Sequence, residues 1–243
     1  MSTTGTPNDA PSITLLAAVH GDPDGPRRLG LALQALKPDA VTVEISPISV
    51  LFRTRNGPRL IERLRQNAQA AFKADRSIPR PAGDPLEDPR LEPILRKITM
   101  PYEFEASRKY AERFGAKVHP IDLSEAAVEH LLAMATDFLS AENLKMILGS
   151  PQEPMSVRRH YELAREVLDG ATSLAWMDSK DDRESMMLRD RHMSQEIRRI
   201  LAETSPRSLV HVSGYEHLAP TPGSLRGLLE PESPCVCLLA DFG

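Results

Sequence analysis

Cysteine is scarce in this chain: Cys235 and Cys237 are the only two among 243 residues. Their i, i+2 spacing places both on one face of a predicted strand, where the backbone holds them too far apart for an easy disulfide. The spacing also differs from the CxxC pattern that is typical of metal sites. We therefore expect free, buried thiols in a reducing compartment.

Long hydrophobic runs and an excess of basic charge are also absent from the sequence. No apolar stretch approaches the roughly 20 residues that a membrane-spanning helix needs. The polar start, residues 1–11, lacks the basic-then-apolar order of a secretory signal and predicts a disordered tail. The formal net charge of -4, from 30 basic and 34 acidic residues, offers no basic surface for nucleic acid. These absences predict a cytoplasmic protein with neither a membrane span nor a nucleic-acid partner, and they leave its oligomeric state open.

Five short apolar segments predict the strands of a sheet. Their β-branched residues run without clean polar alternation, as expected of parallel strands that are covered on both faces. The segments are 12–19, 40–45, 116–121, 207–213 and 234–240. Helical patterns lie between them, including 29–37 and 104–115. The alternation predicts an α/β fold with a central, mostly parallel sheet and flanking helices.

Two regions interrupt this alternation. Residues 76–93 contain five prolines and predict an irregular excursion. Residues 124–204 show only helical patterns, too many for one crossover between strands, so we expect a helical insertion over the C-terminal ends of the strands. Residues 12–243 are otherwise expected to form a single α/β domain.

The best indication of function is a pair of similar tracts, Ala17-x-x-His20 and Gly214-x-x-His217. In each tract an apolar run is followed by a small residue and, three positions later, by a histidine. Ligands of open α/β sheets bind at the C-terminal ends of the strands. We therefore expect the two imidazoles to meet, although a hydrogen-bonded turn histidine is the ordinary alternative for each.

Two charged side chains lie where apolar residues would be expected. Glu44 ends the second strand within a run of Val and Ile, where a carboxylate is costly to bury unless it is paired or binds a cation. If the first two strands are neighbours, Glu44 and His20 emerge side by side. Arg189 falls on the apolar stripe of a helix, so its guanidinium requires a buried carboxylate, a phosphate or an oxyanion. The alternatives are a solvent-facing glutamate and an arginine whose head group reaches the surface.

Further polar residues are expected to support these groups or to bind substrate. Asp122 closes the third strand, and Asp22 and Tyr215 lie close in sequence to the two histidines of the tracts. We expect structural roles for the remaining histidines, namely His119, His130, His160, His192 and His211. Of these, His211 is expected in mid-strand as a hydrogen-bonded core residue.

These residue types favour two mechanisms. Two imidazoles and one carboxylate form a ligand set suited to a divalent transition metal, so His20, Glu44 and His217 are the predicted ligands of Mn, Co or Zn. Such a metal would lower the pKa of a bound water, and Arg189 would stabilise the oxyanion. Without a metal, one histidine oriented by Glu44 would act as general base and activate water for ester or amide hydrolysis. The residues alone do not decide between the two.

The order of these motifs resembles that of the TraB/PrgY and GumN proteins, which belong with the TIKI metalloproteases and more remotely with the erythromycin esterase and ChaN groups. The resemblance covers about residues 12–230 and rests on short motifs. The matching residues are His20 in the first motif, Pro38, Asp39, Val41 and Glu44 in the second, Arg189, Asp190 and Met193 in the third, and Gly214 with His217 in the fourth. Ala17 and Leu188 stand where the family has glycine and glutamate.

The resemblance implies an α/β core with its site at the strand ends, a helical insertion, and hydrolysis of a peptide or ester that is metal-dependent as in the TIKI group. It also implies a site role for Glu103, on the helix before the third strand. We therefore predict a hydrolase of a peptide or small-molecule substrate in which His20, Glu44, Arg189 and His217 are catalytic. Two alternatives use the same site: a protein that sequesters a peptide without cutting it, and a lyase or cyclase acting on a modified peptide or small molecule.

Overall fold

A five-stranded sheet forms the centre of the structure. The computed structural model describes residues 11–75, 77–133, 138–149, 155–172 and 179–243, so the predicted tail lies outside the described residues except for Pro11. The strands are β1 (Ser12–Ala18), β2 (Ala40–Val43), β3 (Lys117–Pro120), β4 (Ser208–Gly214) and β5 (Cys235–Leu238). They lie in the order β3-β2-β4-β1-β5, and every pairing is parallel. The predicted α/β fold with a parallel sheet is confirmed.

Helices connect these strands. They are α1 (Gly25–Leu36), α2 (Pro47–Ala74), α3 (Glu92–Ile98), α4 (Tyr102–Phe114), α5 (Ser124–Ala133), α6 (Ala141–Gly149), α7 (Val157–Leu168), α8 (Lys180–Thr204) and α9 (Leu225–Leu228). Short 3-10 turns supplement them, including one at Tyr215–Leu218 directly after β4. No helix within the described ranges is both long and apolar enough to cross a membrane.

Local sequence signals fix where two of these helices begin and end. Ser46 accepts the backbone N–H of Ser49 at 3.1 Å and precedes Pro47, so α2 begins immediately after the loop that follows β2. Gly115 adopts a φ of 76° and ends α4 just before β3, because a residue without a side chain enters the left-handed region at little cost.

The longest helix, α2, has no counterpart among the predicted elements. The Gly57-Pro58 pair within it is typical of a turn and masks the helical pattern. Burial of Leu60 and Leu64 at helical spacing holds the segment in a helix regardless. A Cβ on Gly57 would lie 3.1 Å from the backbone oxygen of Ile98, so the glycine lets the end of α3 approach α2 closely.

The proline-rich residues 76–93 are less irregular than predicted. They contain two 3-10 turns, Pro85–Glu87 and Pro89–Leu91, although residue 76 lies outside the described residues. Asp88 accepts the N–H of Arg90 at 3.0 Å and starts the second turn, and Leu91 is fully buried. The prolines therefore begin short turns, because their missing N–H groups need no partner at those positions.

Buried hydrophobic residues form two clusters. The larger cluster surrounds the sheet and includes residues of α1, α7 and α8, whereas the smaller lies among α2, α3 and α6. Segment 124–204, predicted as one helical insertion, therefore divides between the two clusters. Residues 134–137, 150–154 and 173–178 of that segment lie outside the described residues. The single-domain organisation of residues 12–243 stays a prediction.

Both cysteines are free, as predicted, but they are not both buried. Cys235 is exposed and Cys237 is half-buried. The reason is the position of β5 at the edge of the sheet, where one side of the strand has no neighbouring strand.

We expect the smaller hydrophobic cluster to contribute substantially to stability. Leu64 is fully buried within it, so Leu64→Ala should lower the free energy of unfolding by about 2–5 kcal/mol through lost burial and a residual cavity. The matched control is Leu31→Ala on α1, where the side chain is 42% exposed and the cost should stay below about 1 kcal/mol. Urea unfolding followed by circular dichroism measures both, and equal costs for the two variants would contradict the assignment of this core.

Candidate active site

The C-terminal ends of β1, β2 and β4 bring the predicted site residues together. The premise that the first two strands are neighbours is wrong, because β4 lies between β1 and β2. His20 and Glu44 nevertheless meet, with Nε2 of the ring 3.7 Å from Oε2 of the carboxylate. A Cβ on Gly214, at the end of β4, would lie 2.9 Å from His20 Nε2 and 3.5 Å from Glu44 Oε2. The glycine of the Gly214-x-x-His217 tract therefore provides the space across which these two groups approach each other.

The turn that carries His20 is held by side chains from two helices. Tyr102, at the start of α4, donates a hydrogen bond to the carbonyl oxygen of Val19 at 3.1 Å. Arg96 of α3 donates from Nη1 to the carbonyl oxygen of His20 at 2.7 Å. Gly21 then adopts a φ of 80°, in the left-handed region that favours glycine. These contacts fix the backbone from which the imidazole projects.

Glu44 lies at the centre of the site and is buried, with 8% of its side chain exposed. Its Oε2 accepts the backbone N–H of Gly214 at 2.8 Å. Its Oε1 accepts from Nη2 of Arg189 at 2.5 Å and lies 2.9 Å from Nε2 of His217. Burial is the largest influence on this carboxyl and favours its neutral form. The charges of His217 and Arg189 outweigh that influence and lower the pKa of Glu44 well below 4.5.

His217 is buried between two carboxylates. Its Nδ1 is hydrogen-bonded to Asp190 of α8, and its Nε2 faces Glu44. Burial is the largest influence and opposes a charge on the ring, but the two carboxylates together raise the pKa of His217 to about 10. The ring is therefore an imidazolium at neutral pH, and each ring N–H donates to a carboxylate. Burial in turn raises the pKa of Asp190, although the hydrogen bond from His217 opposes that shift.

Arg189 pairs with carboxylates of the protein itself. Its Nε donates to Asp122 Oδ1 at 2.9 Å, and its Nη2 donates to Asp122 Oδ2 at 2.8 Å as well as to Glu44. Of the three anions considered for this guanidinium, a buried carboxylate is the one observed. Burial opposes its charge, but Glu44 and Asp122 outweigh this effect and raise the pKa of Arg189 above its usual range. The expected position of Asp122, beside the site at the end of β3, is also observed.

His20 is the most exposed member of the group. Its side chain is 45% exposed, whereas that of its partner Glu103 on α4 is 4% exposed. Nδ1 of the ring lies 2.7 Å from Oε1 of Glu103, and this contact fixes the orientation of the imidazole. Partial removal of the ring from water lowers the pKa of His20, but the carboxylates of Glu103 and Glu44 outweigh this effect and raise that pKa well above 6.5. The site role that the family resemblance implies for Glu103 is consistent with this contact.

Asp22 and Tyr215 are buried near the site, and their substrate-binding roles stay predictions. Asp22 accepts a hydrogen bond from the hydroxyl of Tyr161 at 2.7 Å, which joins the turn after β1 to α7. Tyr215 lies in the 3-10 turn after β4, where burial and the carboxylate of Glu216 raise its pKa.

Two further residues of this region were not assigned to the site from the sequence. Asp190 lies three positions before Met193, on the stripe that singled out Arg189, so the same signal identifies it. His211 was expected in the core and is fully buried, with its Nδ1 2.9 Å from the hydroxyl of Thr42 on β2. Burial lowers the pKa of His211 to about 3, so this ring, unlike that of His217, is uncharged at neutral pH.

This donor set does not fit a metal ion. Both oxygens of Glu44 already accept hydrogen bonds, and both ring nitrogens of His217 are directed at carboxylates. A ligating imidazole must be neutral and must offer a lone pair to the metal. Within the part of the chain that the structure describes, no group of three or more His, Cys, Asp or Glu side chains is placed to hold a metal. The residues predicted as Mn, Co or Zn ligands form a charged hydrogen-bonded network instead.

Comparison with known proteins adds little to this geometry. No family model matches the sequence, and no curated protein matches it. Among solved structures, the chain is similar to one described as "Cofacial heme binding to ChaN of Campylobacter jejuni", with 10% sequence identity, a TM-score of 0.36, and coverage of 95% of this chain and 81% of that chain. ChaN is one of the remote groups named above, and the whole resemblance, to that group as to the TraB/PrgY and TIKI proteins, stays a prediction. Similarity at this level gives no information on ligand or reaction.

Gly214 should be intolerant of a side chain. In Gly214→Ala the new Cβ would lie 2.5 Å from Glu216 Oε2 and 2.9 Å from His20 Nε2, so at least one of these groups must move. We expect overpacking to lower the free energy of unfolding by about 1–3 kcal/mol. Gly30→Ala on α1 is the control, since a Cβ there meets nothing within 4 Å and should be neutral or stabilising. Urea unfolding measures the stability of both variants. Equal stability would contradict the close packing of Glu216 and His20 against Gly214.

The charged network should make stability depend on pH in the alkaline range. The pKa of His217 is about 10 in the folded protein against an ordinary value of 6.5, so the folded state holds a proton that the unfolded state releases. This contribution is fully present below about pH 6.5 and is lost as pH rises toward 10. His217→Asn should cost about 3–5 kcal/mol at pH 7, because it leaves buried carboxylates without their cation.

The same variant should flatten the fall in stability between pH 7 and pH 10. Free energies of unfolding from urea titrations at several pH values test this expectation in both proteins. A wild-type protein whose stability rises over this range, or two parallel pH profiles, would contradict the assignment of an imidazolium to His217.

Proposed function

We propose that this protein is a metal-free hydrolase of carboxylic esters or amides in which His20 activates a water molecule. The observation that carries this proposal is the difference in exposure within the network. His20 has 45% of its side chain exposed, whereas Glu44 and His217 have 8% and 3% exposed. A group that exchanges a proton with water and substrate must be reached by both, and His20 meets that requirement better than its partners.

The orientation of His20 supports a role as general base. With Nδ1 directed at Glu103, the neutral ring carries its proton on Nδ1 and presents its Nε2 lone pair to a water. The water oxygen attacks the carbonyl carbon of the substrate as its proton passes to Nε2. The imidazolium then returns that proton to the departing alkoxide or amine. Water, rather than a hydroxyl or thiol side chain, is the nucleophile here, because the side chains that face the His20 ring within the described residues are both carboxylates.

The buried residues position the charges around this base. Arg189 and His217 hold Glu44 in its ionised form, and Gly214 places it beside His20. A carboxylate near each ring nitrogen stabilises the imidazolium that forms during water attack. Arg189 and His217 therefore act through Glu44, as positioning residues, in place of the direct catalytic roles expected from the sequence.

Metal-free chemistry is favoured because two of the three predicted ligands, Glu44 and His217, already use their oxygen and nitrogen atoms in hydrogen bonds to other side chains and to the backbone. The raised pKa of His20 has a further consequence. A raised pKa means that the neutral base form of the ring accumulates at higher pH than for an ordinary histidine. Under this mechanism kcat/KM increases with pH and levels off once the ring of the free enzyme is deprotonated.

The proposal is tested by hydrolysis of p-nitrophenyl esters and a defined peptide mixture in ¹⁸O-labelled water. We expect a product that carries one ¹⁸O atom, and His20→Asn should reduce the rate by about 10²–10⁴-fold. His192→Asn on α8 is the matched control and should retain the wild-type rate. Glu103→Gln should lower the rate and shift the pH profile, because it removes the charge beside Nδ1.

Each alternative gives a different result in the same experiment. A sequestering protein leaves every peptide intact, and a lyase or cyclase gives a product of unchanged mass or one that has lost water. Activity that chelators abolish and that Mn, Co or Zn restores would support a metal-dependent hydrolase over the metal-free mechanism. Wild-type turnover by His20→Asn would exclude His20 as the base.

A further inference from the structure

The two cysteines form a second cluster of reactive groups, separate from the site above. They lie on β5 at the sheet edge, and their Sγ atoms are 3.8 Å apart. Strand register pairs Cys235 with Thr14 and Cys237 with Leu16 of β1. The face that carries Thr14 and Leu16 is opposite to the face that carries Leu15 and its neighbour His211, because successive side chains of a strand alternate. The thiols therefore stand away from the charged network.

The separation of the two sulfurs suits a shared metal ion better than a disulfide. A disulfide requires the sulfurs to approach to about 2.05 Å, and residues two apart in a strand have Cα atoms roughly 6.6 Å apart, near the upper limit for that bond. A tetrahedral metal with bonds of about 2.3 Å to each thiolate holds its two sulfurs roughly 3.8 Å apart. The observed distance equals this second value, so the strand already presents the thiols at chelating distance.

We infer that Cys235 and Cys237 form a surface dithiol site that chelates one thiophilic d¹⁰ divalent metal ion of the Zn²⁺ type. Thiolates are the ligands that such soft or borderline metals prefer. Within the described ranges no group of three or more His, Cys, Asp or Glu side chains is placed to hold a metal, so the dithiol supplies two ligands there. The other positions belong to water or to an external ligand, which makes the site an open one from which the metal exchanges.

Binding exchanges protons for metal. Two S–H bonds break, two sulfur–metal bonds form, and two protons leave to solvent for each divalent ion bound. Because each thiol must lose its proton before it binds the metal, protons compete with the metal at neutral pH. The affinity should therefore increase as the pH rises from 7 to 9.

Anaerobic titration of the full-length, reduced protein with Cd²⁺ tests the inference. Cadmium is a probe of the same class, and its thiolate complexes absorb in the ultraviolet. We expect this absorption to saturate at one Cd²⁺ per chain, since the sequence contains no other cysteine. Cys235→Ser and Cys237→Ser should each weaken binding by about 100-fold or more, because the chelate is lost. Zn²⁺ affinity follows from competition with a chromophoric chelator.

Circular dichroism of each variant checks that the fold is retained, and Ser208→Ala on β4 serves as a control that leaves the thiols in place. Two Cd²⁺ ions per chain, or single variants that each keep half of the absorption, would show that the thiols act independently. Equal Zn²⁺ binding by the double serine variant would place the metal elsewhere. Rapid formation of a Cys235–Cys237 disulfide in air, with no metal binding by the reduced protein, would also overturn the inference.

Discussion

The arrangement of this protein depends on the compensation of one buried carboxylate, that of Glu44. An ionised carboxyl group is costly to remove from water, and the cost is offset only where donors and opposite charges surround it. Glu44 has a backbone N–H from Gly214, a guanidinium from Arg189 and an imidazolium from His217 around its two oxygens. These partners come from the end of β4, from the 3-10 turn that follows it and from the middle of α8, whereas Glu44 follows β2, so the network joins parts of the chain that are far apart in sequence.

The network also assigns different tasks to similar residues. His20 and His217 follow matching tracts, yet one is half exposed and the other is enclosed between two carboxylates. Exposure therefore separates a group that can exchange protons with a substrate from one whose charge is fixed. His211 lies within β4. Its ring is neutral because the charge of Glu44 is too weak an influence there to offset burial. Surroundings alone therefore raise the pKa values of His20 and His217 and lower that of His211.

Much of the sheet was predictable from sequence because its strands are short apolar runs bounded by polar turns. The strand order was not, since hydrophobic pattern carries no information on which strands are neighbours, and β4 inserts between β1 and β2. Helix α2 was missed because Gly57-Pro58 is typical of a turn, whereas its apolar contacts arise only in the folded chain. Asp190 matched a family motif but received no role at the site, because an acidic residue beside an arginine is ordinarily solvated and its partner His217 lies 27 positions away.

The site residues were therefore identified better than their roles. Arg189 was recognised by its place on an apolar stripe, but its anions are Glu44 and Asp122 of the protein itself. The predicted metal ligands were the right residues to group, and their contacts make them a hydrogen-bonded set. The distinction between ligation and ion pairing depends on which lone pairs are free, and residue type and spacing do not encode that.

The most direct test of this account is the protonation state of His217. Long-range ¹H–¹⁵N NMR spectra of protein labelled in its histidines distinguish imidazolium rings from neutral ones. At pH 8 we expect His217 to show the nitrogen shifts of an imidazolium with both N–H groups present, while His211 shows those of a neutral ring. A neutral His217 at pH 8, or one that titrates near 6.5, would contradict the charged network on which the proposed chemistry of His20 depends.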